Sequence, residues 1–243
     1  MKTAFVTGGS RGIGLATVLE FAAAGYAVAV GYYNSEESAL RICRVIGEHG
    51  GVALPVKADL SKNGAGETAV DTVAEQLGHI DVLVANAGIA MIKEFTETTR
   101  SDWERILATN LLGVSECCRA AGESMMQRHG GSIVTVSSMW GLRGASCEAA
   151  YAASKAAVVS LTQSLAREMG PNGVRINCVA PGFIDTDMNA EVDVDARLEI
   201  VRATPLGRIG HPEEVAKAIF FLASEDAAFI NGAVLPVDGG YTA

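Results

Sequence analysis

Residues 4–14 read AFVTGGSRGIG, a short apolar run followed by a glycine-rich turn and then a helical pattern. Such a turn between a strand and a helix brings backbone N–H groups and the helix N-terminus up to a pyrophosphate. An ordinary tight turn is the alternative, but the position directly after the first strand favours a dinucleotide site. The predicted cofactor contacts here are Gly8, Ser10, Arg11, Gly12, Ile13 and Gly14.

Short apolar runs and longer helical patterns alternate along the chain, which is typical of βαβ units and of a parallel sheet covered on both faces. Strands are predicted at 4–7, 27–31, 52–56, 81–85, 132–137, 174–179 and 233–237. Helices are predicted at 13–24, 36–48, 65–77, 101–128, 151–169 and 212–223. We therefore expect an α/β protein in which residues 1–243 form one domain around a doubly wound sheet of seven parallel strands.

Local signals mark the ends of two of these helices. Ser101 followed by Glu104 matches a capping box, and the run His211-Pro212-Glu213-Glu214 supplies a proline and an acidic first turn. Between Pro181 and Gly210 the sequence has only a weak helical pattern, at 191–202. We interpret about 182–210 as a mobile lid or substrate loop.

Composition and charge exclude several classes of function. The chain has 243 residues, 49 % of them hydrophobic, and a net charge of −9, which argues against a nucleic-acid partner. The absence of a signal-peptide pattern and of a long apolar run favours a soluble cytoplasmic protein with no membrane association. The 5 cysteines and 4 histidines are scattered, so neither a disulfide framework nor a metal site is expected.

Tyr151 and Lys155 stand four residues apart at the start of a predicted helix. Residues at this spacing lie on one helical face, so the Lys155 ammonium is expected close to the Tyr151 phenol. A nearby positive charge lowers the pKa of a phenol. Tyr151 is therefore predicted to exchange a proton near neutral pH.

The end of the second strand bears on the choice of cofactor. Dinucleotide folds that select NAD usually place an acidic residue there, but this chain reads Gly31-Tyr32-Tyr33-Asn34-Ser35, with no acid before Glu36. Arg11 can supply a cation for a 2′-phosphate, and Asn34 and Ser35 can supply neutral donors. We predict NADPH over NADH; a merely solvated Arg11 is the alternative.

Two further groups follow predicted strands. Asp59-Leu60 and Asn86-Ala87-Gly88 fall at carboxyl ends of strands, where ligands of open α/β sheets bind. Both are predicted to contact the cofactor, although Asn86 can also serve to brace the sheet.

Taken together, TGGSRGIG, the NAG at 86–88, Asn110, Ser138, YAASK at 151–155 and Pro181-Gly182 resemble the classical short-chain dehydrogenase/reductase family across the whole chain. The C-terminal half, with PGFIDTDM, PLGRIGHPEEVA and VDGG, is most similar to 3-oxoacyl-[acyl-carrier-protein] reductases. The resemblance implies a Rossmann fold and an NADP(H)-dependent oxidoreductase. It also implies a homotetramer built through the helices at 101–128 and 151–169 and through the C-terminal segment.

The resemblance implies a catalytic tetrad of Asn110, Ser138, Tyr151 and Lys155. Ser138 would hydrogen-bond the substrate carbonyl, Tyr151 would donate the proton, and Lys155 would act on Tyr151 and hold the nicotinamide ribose. Asn110 would kink its helix and position a water that serves as a proton relay. The segment expected to hold the nicotinamide amide comprises Pro181, Gly182, Ile184 and Thr186. Ser137 is the alternative to Ser138, but the spacing from Ser138 to Tyr151 matches the family pattern.

The identity of the substrate is left open by the sequence. The resemblance implies a pocket lined by residues between Ser138 and Tyr151, which here include Trp140, Arg143, Cys147 and Glu148. The loop WGLRGASCEAAY resembles that of elongation factor P 5-aminopentanone reductases, which act on a ketone attached to a protein lysine. His129 and Asn172 stand where reductases of acyl carrier protein place basic residues, and Arg128 and Arg175 are possible substitutes.

Four interpretations of the function therefore stand. They are a 3-oxoacyl-[acyl-carrier-protein] reductase, a reductase of modified elongation factor P, a small-ketone reductase or alcohol dehydrogenase, and a dinucleotide-binding protein without catalysis. The presence of Ser138, Tyr151 and Lys155 argues against the last.

Overall fold

Seven parallel strands form the central sheet of the computed structural model, which describes residues 1–190 and 192–243. The strands, in chain order, are Thr3–Val6 (β1), Ala27–Tyr32 (β2), Ala53–Lys57 (β3), Val82–Ala85 (β4), Gly131–Val136 (β5), Val174–Pro181 (β6) and Val234–Val237 (β7). They lie in the order β3-β2-β1-β4-β5-β6-β7. The predicted seven-stranded, doubly wound α/β fold is confirmed.

The helices that connect the strands cover both faces of the sheet. They are Gly12–Ala23 (α1), Glu36–Glu48 (α2), Ala65–Leu77 (α3), Arg100–Leu107 (α4), Gly113–Gln127 (α5), Met139–Leu142 (α6), Ala149–Met169 (α7), Val194–Ala203 (α8) and Pro212–Ala223 (α9). One buried cluster joins α1, α2 and α9 to the sheet, and a second joins α3, α5 and α7 to its other face. Within the described part of the chain, none of the helices combines the length and apolarity needed to span a membrane.

The helix predicted at 101–128 is in fact two helices joined by a π-helical turn at Ala108–Leu112. Its capping box was also assigned to the wrong residues. Thr99, and not Ser101, is the N-cap: its hydroxyl accepts from Asp102 N at 3.2 Å, and the Asp102 carboxylate accepts from Thr99 N at 3.0 Å. The sequence holds two overlapping matches to one pattern, and only Thr99 has the extended backbone that an N-cap requires. At α9 the prediction is confirmed, since Glu214 accepts from His211 N at 2.8 Å.

The segment interpreted as a substrate loop contains more regular structure than its weak pattern indicates. It includes α8, a bridge between Ile184 and Gly210, and an ion pair from Arg197 to Asp185 at 3.0 Å. Residue 191, the first of the weak helical pattern, lies outside the described residues.

The order of the sheet determines where a ligand can bind. Because β4 follows β1 on the side away from β2, the connections leaving β1 and β4 diverge and open a crevice at their carboxyl ends. The predicted functional residues after β1, β4 and β5 meet at this edge.

Candidate active site

A cavity of about 610 Å³ lies over the carboxyl ends of the strands at this crevice. Most of the residues predicted to bind a cofactor line it: Gly8, Ser10, Arg11, Gly12, Ile13, Asn34, Ser35, Asp59, Leu60, Asn86, Ala87, Gly88 and Thr186. The turn after β1, the end of β2 and the segment after β3 thus surround one space, whose volume lies within the range usual for small-molecule and cofactor sites.

The glycine-rich turn is built for close approach of a ligand. Gly8 and Gly12 have φ values of +65° and +53°, and a Cβ on Gly12 would project toward the Thr186 side chain at 3.2 Å. Gly14 has another role than the one predicted. A Cβ there would overlap the Gly8 carbonyl oxygen, so this glycine allows α1 to pack against the turn and does not itself line the cavity.

Asn86 holds the two central strands together. Its side-chain amide donates to the carbonyl oxygens of Thr7 at 2.9 Å and Gly8 at 3.2 Å. The Thr7 hydroxyl in turn accepts from the backbone of Asn86 and Ala87, both at 3.0 Å. Asn86 therefore braces the sheet, which was the alternative role for this residue. It also lines the cavity.

Several positively charged side chains line the cavity near the glycine-rich turn and the end of β2. Arg11 is exposed and lines the cavity, and among the described residues it has no acidic partner within ion-pair distance. Glu36, the first acid after β2, pairs with Lys57 at 2.9 Å. Lys62 and Arg105 also line the cavity. Sequence reasoning missed both, because neither belongs to a recognisable motif.

Three residues of the predicted nicotinamide segment do not line the cavity. Pro181 ends β6, Gly182 N donates to Val237 O at 3.0 Å, and Ile184 is buried in the core. The structure uses them to hold the segment that presents Thr186, and their direct contact with a cofactor stays a prediction.

Tyr151 and Ser138 lie together at the reactive end of the site. The Tyr151 side chain is buried, and burial raises the pKa of its phenol to about 12. The nearby Ser138 hydroxyl acts in the opposite direction, and the Glu148 carboxylate raises the pKa of Tyr151 further. Tyr151 is therefore a protonated phenol at neutral pH.

Lys155 is also buried, and burial lowers the pKa of its ammonium to about 8. Its Nζ donates to Val136 O at 2.9 Å and lies 5.8 Å from the centroid of the Tyr151 ring. The expectation that Lys155 lowers the pKa of Tyr151 was wrong for this arrangement, because desolvation of the phenol dominates and the ammonium is directed to a backbone carbonyl. The two groups are nevertheless on one helical face, as predicted.

Asn110 is in the π-helical turn between α4 and α5, where the local widening turns its side chain inward. Its amide donates to Ile89 O at 2.9 Å and to the Ser154 hydroxyl at 3.1 Å, and its Oδ1 accepts from Ile89 N at 2.9 Å. A Cβ on Gly88 would meet both Lys155 Nζ and Asn110 Oδ1 within 3.3 Å. Asn110 and Lys155 are therefore neighbours across Gly88, and the helix distortion expected at Asn110 is present.

The two adjacent serines have different partners. The Ser137 hydroxyl donates to Lys155 O at 2.8 Å and is thereby committed to the backbone. The Ser138 hydroxyl accepts from Trp140 N at 3.2 Å and lies close enough to the Tyr151 phenol to act against the rise in its pKa. This geometry favours Ser138 as the group that faces a substrate.

The loop between Ser138 and Tyr151 brings Trp140 and Glu148 together. Burial raises the pKa of Glu148, and the nearby Trp140 side chain opposes that rise. The Trp140 ring also meets Tyr241 edge to face, with centroids 5.6 Å apart. Tyr241, from the C-terminal segment, was missed because nothing in its local sequence indicates a contact with residue 140.

Cys147 has φ of +60°, an uncommon conformation for a residue with a side chain. Its carbonyl oxygen accepts from Lys93 N at 2.7 Å, which anchors the loop beside the segment after β4. A role for the Cys147 side chain in contacting substrate stays a prediction.

Within one chain, Arg128 and Arg175 do not supply a positive charge at the site in place of the basic residues that are replaced by His129 and Asn172. They lie near the beginnings of β5 and β6, at the edge of the sheet opposite to the site. Arg128 donates to Ile80 O at 2.6 Å, and Arg175 donates to three carbonyl oxygens at the end of α9, the closest at 2.7 Å. Both guanidinium groups are engaged by the backbone.

Comparison with known proteins gives a consistent picture of the chain. A family model described as enoyl-(acyl carrier protein) reductase matches residues 8–242. The chain is 38 % identical over 239 residues to a 3-oxoacyl-[acyl-carrier-protein] reductase of Chlamydia trachomatis serovar D, covering 98 % of this chain and 96 % of that protein. It is 41 % identical over 243 residues to a cis-4-hydroxycyclohexanecarboxylate dehydrogenase of Sinomonas cyclohexanicum, covering 100 % and 97 %.

Among solved structures, a blue fluorescent protein from a metagenomic library in complex with NADPH superposes with a TM-score of 0.95. The two chains are 38 % identical, and the match covers 100 % of this chain and 98 % of the other. The relatives thus share the fold over their full length while their names report different activities.

Proposed function

The chain belongs to the short-chain dehydrogenase/reductase family and is an oxidoreductase acting on CH–OH or ketone groups with a nicotinamide dinucleotide; on this premise we propose that it is an NADPH-dependent ketone reductase. The observation that carries the proposal is the cluster of Ser138, a protonated Tyr151 and Lys155 beside the glycine-lined cavity. Its substrate is proposed to be a carrier-bound ketone, as in the 3-oxoacyl-[acyl-carrier-protein] reductases named among its relatives.

The residues of the site fit the proposed dinucleotide. Gly8 and Gly12 leave room for a pyrophosphate against the start of α1, and Arg11 and Lys62 are cations on the lining. When bound, the dinucleotide supplies the hydride that reduces the carbonyl carbon.

Proton transfer is assigned to groups of the chain itself. The Ser138 hydroxyl orients the substrate carbonyl oxygen next to Tyr151. The phenol, protonated because its pKa is about 12, donates its proton to the oxygen as negative charge develops there. Lys155, whose pKa of about 8 leaves it mainly charged at neutral pH and whose Nζ lies 5.8 Å from the Tyr151 ring centroid, is the group of the chain that returns a proton to the phenolate.

Preference for NADPH is proposed from the charges at the adenosine end. Arg11 is available for a 2′-phosphate, and the ion pair with Lys57 offsets Glu36, the first acid after β2. We expect Arg11→Ala to lower kcat/KM for NADPH about tenfold or more and to change that for NADH little. Arg41→Ala, an exposed arginine on α2, is the matched control. Comparable efficiency with both cofactors, unchanged in Arg11→Ala, would remove the argument.

The substrate is tested by direct comparison. Acetoacetyl-CoA, an acetoacetyl thioester of acyl carrier protein and elongation factor P carrying the aminopentanone are assayed side by side for oxidation of NADPH. Selective reduction of the carrier thioester supports the proposal. Selective reduction of modified elongation factor P supports the second candidate, which Glu148 beside Tyr151 favours because that substrate carries an amine. Dinucleotide binding without turnover of any ketone would support the alternative of a dinucleotide-binding protein without catalysis.

A homotetramer and a cytoplasmic location also stay predictions.

A further inference from the structure

The segment 238–243, which follows β7, folds back on itself beside the site. The Asp238 carboxylate holds it: one oxygen accepts from Gly240 N at 2.9 Å, and the other accepts from Thr242 N at 2.9 Å and from the Thr242 hydroxyl at 2.6 Å. Gly240 has φ of +88°, a conformation that glycine adopts without strain. Tyr241 is therefore fixed between two residues that are both bonded to Asp238.

The same segment packs against two elements that flank the site. Leu206, in the turn after α8, donates its backbone N–H to Gly239 O at 3.1 Å. On the other side, a Cβ on Gly182 would lie 2.6 Å from the Asp238 Cα, so the backbone after β6 approaches the segment closely. The segment 238–243 is thus held between the end of β6 and the turn after α8.

Tyr241 makes two contacts with α6, the 4-residue helix that begins directly after Ser138. Its ring meets the Trp140 ring edge to face, with the centroids 5.6 Å apart and the planes at 83°. Its carbonyl oxygen accepts from the Arg143 guanidinium at 3.0 Å. An edge-to-face pair and a charge-assisted hydrogen bond both restrict geometry. Tyr241 therefore holds α6 at Trp140 and at the C-cap of the helix.

Through α6, these contacts reach the Ser138 hydroxyl. Trp140 N donates to Ser138 Oγ at 3.2 Å, so this hydroxyl caps α6. A hydroxyl that accepts from a backbone N–H retains its own proton for donation to another acceptor. The helix also packs tightly against α7, because a Cβ on Gly141 would lie 2.8 Å from the carbonyl carbon of Lys155. A shift of α6 would therefore change the direction in which Ser138 presents its proton.

We propose that Tyr241 is a positioning residue which, by holding α6, orients the Ser138 hydroxyl toward the carbonyl oxygen of the ketone. This inference rests on the proposed function, because it takes Ser138 as the group that orients that oxygen. The described residues that line the cavity of about 610 Å³ do not include Tyr241 or Trp140. Tyr241 therefore acts on reduction of the ketone and not on binding of NADPH.

The test combines substitutions at Tyr241 and Ser138 in the full-length enzyme. Tyr241→Ala removes the ring that contacts Trp140, whereas Tyr241→Phe, the matched control, keeps the ring and the backbone carbonyl. With the best ketone substrate, we expect kcat to fall about tenfold in Tyr241→Ala and to stay within about twofold in Tyr241→Phe. The affinity for NADPH should stay within about twofold in both variants.

The expected loss depends on the Ser138 hydroxyl. In a Ser138→Ala background, Tyr241→Ala should lower kcat by no more than about twofold, because the group that Tyr241 positions is absent. A merely structural role of Tyr241 would lower kcat by the same factor in both backgrounds.

A second measurement needs no turnover. Trp103 and Trp140 are the 2 tryptophans of the chain, so in a Trp103→Phe background the fluorescence of Trp140 alone reports on α6. Acrylamide should quench this fluorescence more strongly in Tyr241→Ala than in Tyr241→Phe, since the ring that contacts Trp140 is lost.

The results separate this inference from the proposed function. A loss of kcat in Tyr241→Ala that is equal with and without the Ser138 hydroxyl, or no loss at all, would overturn the positioning role and leave the reductase intact. A wild type that binds NADPH and oxidises none with any ketone would overturn the proposed function. In that case, unchanged quenching of Trp140 in Tyr241→Ala would also overturn the hold of Tyr241 on α6, and stronger quenching would support it.

Discussion

At the scale of single residues, burial determines the ionisation of the site. Tyr151 and Lys155 are both inside the protein, and desolvation shifts their pKa values to about 12 and about 8. Each shift favours the neutral form of its group. From sequence one can identify the pair and its common helical face, but not the depth of burial, which depends on how α7 packs against β5 and on the bond from Lys155 to Val136 O.

The shift at Lys155 predicts a pH-dependent change in stability. Below pH 8 the ammonium is charged in the folded and the unfolded state, so folding bears the full cost of burying it. Between about 8 and 10.5 the folded protein releases the proton while the unfolded chain retains it, so the unfolding free energy of the wild type rises relative to Lys155→Met. The difference between the two proteins should change by about 3 kcal/mol across this window. Denaturant unfolding from pH 7 to 10.5 measures it, and a constant difference would contradict the assignment.

At the scale of elements, strands were predicted well because buried parallel strands form continuous apolar runs between turn residues. Three features were not predictable in this way. The helix α6 has 4 residues, too few for helical periodicity to appear. The π-helical turn at Ala108–Leu112 is made by the packing of Asn110 against Ile89 and Ser154. The start of α4 was ambiguous because two overlapping windows match one capping pattern.

The corrected start of α4 can be tested by mutation. Thr99→Ala removes the hydroxyl that accepts from Asp102 N, so it should lower the unfolding free energy by about 1 kcal/mol. Ser101→Ala lies within the helix at an exposed position, and its effect should stay within about 0.5 kcal/mol. Chemical denaturation of the two variants compares them directly; a larger loss in Ser101→Ala would restore the original assignment.

At the scale of the whole molecule, the parallel sheet assembles the site by bringing the carboxyl ends of its strands to one edge. Sequence motifs were enough to predict that the glycine-rich turn, Asn86 and Ser138 meet there, because each follows a strand. Sequence motifs do not predict contacts between segments that are distant along the chain. The Trp140–Tyr241 contact joins residues 101 positions apart, and the opposite placement of Arg128 and Arg175 follows only from the direction of β5 and β6.

The same edge brings the cavity proposed to hold the cofactor next to Tyr151, the proposed proton donor. The most direct test compares ketone-dependent oxidation of NADPH by the wild type and by Tyr151→Phe, with the affinity for NADPH measured on both. Because the phenol oxygen alone is removed, NADPH affinity should stay within about threefold while kcat falls by about a hundredfold or more. A Tyr151→Phe enzyme that binds NADPH and reduces the ketone at close to the wild-type rate would contradict the account.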